Sequence, residues 1–217
     1  MLGELFNNPF SFFVWTLALL VAITIHEFSH AWASDRLGDP TARLMGRLTL
    51  NPLAHLDPLG TLFLLFARFG WGKPVPFDPF NLKNPRRDAA LISLAGPGSN
   101  LITATILSFI LKIIPGLPFS LTAYLLIQAF LVPLIIMSVS LGIFNLLPVS
   151  PLDGFKIVAG FLPKNLASQW EELENYGLLF LLLMLFPMAG GSLLTNIMNP
   201  LLNFVLTLLL PGLGTII

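Results

Sequence analysis

The sequence contains no cysteine, which excludes a disulfide framework, a thiolate metal ligand and a cysteine nucleophile. Charge is scarce as well. There are 11 Lys or Arg and 11 Asp or Glu in 217 residues, 10% of the chain, where a soluble domain carries about 25%. The two signs balance, so there is no basic field to gather a polyanion, and a nucleic-acid partner is excluded. Histidine is rarer still, at three residues. No basic residue precedes Arg36, so the N-terminus lacks the positive head of a cleaved secretion signal and the first apolar stretch is expected to be retained. There is no internal repeat or low-complexity tract.

What is present is apolar: 55% of the residues are hydrophobic. A helix that crosses a bilayer needs about 20 mostly apolar residues. The uncharged stretches predict an all-α polytopic membrane protein of one domain, with spans at about residues 9–34, 89–113, 121–147, 168–186 and 193–210. Pro115, Gly116 and Pro118 separate the second span from the third, and Pro187, Gly190 and Gly191 separate the fourth from the fifth. The apolar run at about 58–68 is too short to cross and reads as a partial, re-entrant insertion. Phe69–Phe80, with Pro74, Pro76 and Pro79, reads as extended hairpin.

The basic residues set an orientation. Arg36, Arg43, Arg47, Arg68, Lys73, Lys83, Arg86, Arg87, Lys156 and Lys164 fall in loops on one side, and only Lys112 on the other. Positive loops stay in the cytoplasm, so 35–88 and 149–165 are expected there, with the N-terminus outside. A multi-pass protein of the cell membrane follows.

Two of the three histidines fall in one helical turn, His26-Glu27-Phe28-Ser29-His30. Residues four apart share a helix face, so both imidazoles can hold one metal ion with Glu27 beside it. Ionisable groups inside a span are costly and mark function. A catalytic zinc takes three protein ligands, so a third is needed at the same depth, and His55 and Asp153 are the candidates. Asp153 follows the helix break made by Pro148 and Pro151, on the same side of the membrane as His30.

These motifs resemble those of the site-2 protease family of intramembrane zinc metalloproteases, peptidase family M50. His26–His30 matches the family's H-E-x-x-H, and Asn145–Gly154 matches N-x-x-P-x-x-x-L-D-G. Gly96–Asn100 and Asn51–Gly60 are also family-like, so the resemblance covers nearly the whole chain. It implies a compact form, since 217 residues leave no room for an inserted PDZ domain or a trailing CBS domain. It also implies one zinc ion on His26, His30 and Asp153, Glu27 as the catalytic base, and Asn145, with Asn100 less directly, supporting substrate or the oxyanion.

His55 lies among turn formers and reads either as a support behind the metal ligands or, in better accord with those neighbours, as a loop histidine. Gly96 and Gly98 read equally well as packing residues, because small side chains let helices approach in lipid. The expected partners are the lipid bilayer and transmembrane protein substrates, unwound and paired with the Phe69–Phe80 segment as an added strand. The alternative is a membrane metal-binding or metal-transport protein. It fits less well because the histidines stop at one depth.

Overall fold

Asn8 caps the first long helix through its side chain, which accepts the Ser11 amide at 3.0 Å, and Pro9 occupies the first helical position. In the computed structural model, which describes residues 6–67, 72–188 and 191–211, this helix, α1, runs over Pro9–Leu37. Gly38 ends it in the left-handed region, at φ 110°. The short α2 (Thr41–Leu44) follows, then a 3-10 turn at Pro52–Ala54 and α3 (Pro58–Ala67). The ten-residue α3 occupies the run that the sequence reads as a partial insertion, and it is too short to cross a bilayer.

Two more long helices cross the centre of the molecule: α4 (Pro85–Ile113) and α5 (Leu121–Asn145). Ser120 caps α5 by accepting the Ala123 amide. With α1, these are the three helices among the described residues that are long and apolar enough to cross a bilayer. The rest of the described chain is α6 (Asp153–Phe161), α7 (Lys164–Glu172), α8 (Glu174–Leu185), a two-residue antiparallel ribbon of β1 (Pro187–Met188) and β2 (Gly191–Ser192), and α9 (Leu193–Leu209). The protein is an all-α membrane protein.

The boundaries differ from the sequence reading in three instructive places. Helix α4 starts one turn early, at Pro85, because a proline at the first helical position sacrifices no hydrogen bond. Around 168–186 the helix is broken. Leu173 and Tyr176 donate to Trp170 and Leu173, three residues back, and that tightened turn separates the polar α7 from the apolar α8. Asp153–Phe161, within the expected cytoplasmic loop 149–165, is a helix. Asp153 sits in its first turn, where a carboxylate complements the dipole, and Phe155 and Ala159 turn inward.

Helices α1, α4 and α5 pack on one another, and α6 packs on α4. The main apolar core lies between α4, α5, α8 and α9, with Ile135, Val139 and Leu206 at its centre. Residues 69–71 of the expected hairpin and Arg68 lie outside the described residues. Of the described remainder, Pro79 and Phe80 depart from the expectation by entering a 3-10 turn, Pro79–Asn81, capped by Asp78, whereas 72–78 has no helix. Its pairing is not internal: Gly72 bridges back to Leu56.

Candidate metal centre

His26 and His30 face inward from α1, one turn apart, with ring centroids 4.6 Å apart and the planes nearly perpendicular. Both are buried. Asp153, 127 residues further on, enters from the start of α6. Its Oδ2 lies 3.1 Å from His26 Nε2 and 3.2 Å from His30 Nε2. The candidate donor atoms of the three residues all lie within 4.8 Å of one another, the only such group of three among the described residues.

Helix α4 orients the imidazoles from behind. His30 Nδ1–H donates to the Ile92 carbonyl at 2.7 Å, which leaves the Nε2 lone pair turned to Asp153. Two acceptor atoms 3.2 Å apart repel unless a proton or a cation lies between them. The donor set therefore fits a divalent ion. On the other imidazole, Nδ1 lies 3.4 Å from the Asn100 side-chain amide. Asn100 is fully buried, and its Oδ1 has no partner.

Gly96 explains how the pair fits against α4. A Cβ at this position would lie 2.7 Å from His26 Nε2 and closer still to His30 Nε2. The missing side chain is the space in which the two Nε2 atoms meet, a reason for glycine that the sequence alone does not separate from helix packing.

Glu27 follows His26 by one residue, so it leaves α1 about 100° around the axis. Its Oε2 accepts the Val75 backbone N–H at 3.2 Å. Asn145, at the end of α5, donates one amide hydrogen to the Leu141 carbonyl at 3.0 Å, and its second N–H is left for another acceptor.

The histidine left over, His55, is fully buried. Its Nε2–H donates to the Thr49 carbonyl at 2.8 Å, and its own carbonyl accepts the Lys73 amide at 2.9 Å. Burial holds its pKa below the usual imidazole value, with the Thr49 contact opposing. It stabilises the loop and stands apart from the His26–His30–Asp153 group.

Asp39, also fully buried, joins the end of α1 to the far end of the extended segment. It accepts from Ser34, from the Thr41 amide and hydroxyl, from the Asn81 amide and from the Asp78 N–H at 2.8 Å. Burial alone would raise its pKa. The donors outweigh burial and hold it at about 2.

The model of a family described as Peptidase family M50 matches residues 118–186, the part of the chain that includes Asn145–Gly154. Over 185 residues the chain is 37% identical to "Putative zinc metalloprotease YwhC" of Bacillus subtilis, covering 84% of each protein. It is 31% identical over 179 residues to "Putative zinc metalloprotease Rip2" of Mycobacterium tuberculosis, covering 79% of this chain and 66% of that protein. A Mycolicibacterium smegmatis protein of the same name is 29% identical over 176 residues, covering 78% of this chain and 65% of that protein. No solved structure matches the chain.

Proposed function

The chain belongs to peptidase family M50, and from that footing we propose that this metalloprotease hydrolyses peptide bonds within or near the transmembrane segments of other membrane proteins. The observation that carries the proposal is the convergence of His26, His30 and Asp153 within 4.8 Å, beside Glu27, at the end of a membrane-length helix. A carboxylate in this setting needs a compensating cation.

His26 Nε2, His30 Nε2 and an oxygen of Asp153 are the proposed ligands of one zinc ion, leaving a position open for chemistry. When bound, zinc supplies the Lewis acidity that activates water and polarises a peptide carbonyl. The chain's own groups do the rest. Glu27 takes the proton of the attacking water and delivers it to the leaving amine. The second N–H of Asn145, beyond the one given to Leu141, is the proposed donor to the developing negative charge on the carbonyl oxygen. Asn100 acts from behind: a half-turn of its amide brings the unpartnered Oδ1 onto His26 Nδ1–H and leaves Nε2 free to bind metal.

The basic loops support a cytoplasmic position for residues 35–88 and 149–165, and so an active site near the cytoplasmic face with the N-terminus outside. Water then enters from that side, where the backbone after α5 is non-helical. The substrates are transmembrane proteins whose helix unwinds to expose a carbonyl. The extended segment is less free to receive them as an added strand than its sequence suggests. Lys73, Val75, Asp78 and Phe80 already donate their amides within the protein, and Pro74, Pro76 and Pro79 have none. Among the described residues, pairing with substrate would fall to the Gly72 and Phe77 N–H groups and to carbonyls.

The test is purification in detergent, metal analysis, and cleavage of a panel of transmembrane peptides by the native chain and Glu27→Gln. One zinc per chain in both proteins, with cleavage only by the native chain, is the expected result. Undiminished cleavage by Glu27→Gln would refute the assigned base.

A further inference from the structure

Arg47 is the one basic side chain buried among the described residues, at 5% exposure. Its position is set locally. Gly46 takes the left-handed conformation, at φ 69°, and Arg47 N–H donates back to the Ala42 carbonyl at 2.8 Å, the turn that commonly closes a helix. That turn sends the side chain inward beneath the extended segment.

No carboxylate among the described residues lies within ion-pair distance of the guanidinium. Its partners are backbone carbonyls from two separate loops. Nη1 donates to Ala54 O at 2.5 Å, and Nη2 donates to Lys73 O and to Pro74 O, the latter at 3.3 Å. A buried guanidinium without a close ion pair is costly to desolvate, and what its carbonyl hydrogen bonds supply is a fixed geometry of the two loops.

The Pro74 carbonyl and the Val75 N–H belong to the same planar peptide group, and they point in opposite directions. Arg47 holds the oxygen of that group, and Glu27 accepts from its nitrogen at 3.2 Å. Fixing one end orients the other. We propose that Arg47 is a positioning residue for Glu27, acting through the Pro74–Val75 peptide group. The inference rests on the reading of Glu27 as the base. It gives a role to an arginine that the sequence presents only as one of ten cytoplasmic positive charges.

The planar fork of arginine reaches both loops at once, whereas a lysine ammonium is a single point of charge. Arg47→Lys should therefore recover part of what Arg47→Gln loses. The experiment compares Arg47→Gln, Arg47→Lys, Val75→Pro and the Arg47→Gln/Val75→Pro double variant, each as the full chain in detergent. It reads zinc content, kcat and KM on a transmembrane peptide, and hydrogen exchange at the Val75 amide.

Arg47→Gln is expected to keep one zinc and to exchange Val75 faster, and its kcat should fall on the order of 10²-fold, the usual cost of a misplaced catalytic group, with KM within about twofold. Val75→Pro should show a similar fall, and the double variant no more than the larger single effect. An unchanged kcat in Arg47→Gln, multiplying effects in the double variant, or loss of zinc in step with activity would each overturn the proposal. Full cleavage by Glu27→Gln would instead remove the reading of Glu27 as base, while Val75 exchange in Arg47→Gln would still report whether Arg47 holds the peptide group.

Discussion

Gly96 and His30 approach so closely that no side chain can stand between them: a Cβ on Gly96 would collide with the imidazole Nε2. Alanine is the better helix former by about 1 kcal/mol, so on propensity alone Gly96→Ala should strengthen α4. The structure predicts the opposite where it counts. Gly96→Ala should keep its helical circular dichroism and lose zinc, with the metal affinity lowered at least about tenfold. Equilibrium dialysis against zinc checks this, and an alanine variant that binds zinc normally would show that the space is not needed.

Asn100 separates two kinds of substitution. Asn100→Asp keeps an acceptor for His26 Nδ1–H, whereas Asn100→Leu removes it and leaves a buried N–H without a partner. The leucine variant should bind zinc about 10- to 100-fold more weakly, and the aspartate variant close to normally. Competition with a chromogenic chelator measures both.

Metal removal should be visible in stability. His26, His30 and Asp153 come from α1 and α6, so a bound ion ties two elements that are distant in sequence. Zinc at about 100 times its Kd stabilises the folded chain by about 2.7 kcal/mol. A chelator should lower the thermal midpoint of the native protein in detergent and leave that of Asp153→Ala unmoved. An equal drop in both would place the metal's effect elsewhere.

Asp39 predicts an acid limb of stability. In the folded chain it stays ionised down to about pH 2, whereas an unfolded aspartate protonates near 3.8. A depressed folded-state pKa gives stabilisation that is complete above the unfolded value and is lost as pH falls through the folded one. The native protein should therefore lose stability between about pH 4 and pH 2, and Asp39→Asn should be less stable at neutral pH but flatter across that window. Thermal melts at a series of pH values would test it. Parallel profiles for the two proteins would exclude Asp39 as the source.

Much of the centre was legible before any fold was known, because its first half is local. His26, Glu27 and His30 lie within five residues, and helical periodicity alone puts the two imidazoles on one face. The length of the apolar runs likewise places α1 and α5. The division of the 168–186 stretch into α7 and α8 was not legible. It depends on a single tightened turn at Leu173 and on Trp170, which stacks on Phe155 and donates to its carbonyl.

The remainder of the site was decided only in three dimensions. Nothing in the pattern around residue 75 says that its amide will meet Glu27, or that Arg47 will grip the other end of the same peptide group. The family-like Gly96–Asn100 motif marks this span in the sequence, but nothing in it says that Gly96 and Asn100, with Ile92, form the back wall of a histidine pair. Local propensity sets the conformation of neighbours along the chain. Which backbone group faces which side chain across 48, 62 or 127 residues depends on how α1, α4, α5 and α6 pack, and that is fixed by the summed burial of many side chains and by no single motif. The sequence by itself determined the chemistry this protein carries and the helices that carry it, and the tertiary structure decided which groups hold that chemistry in place.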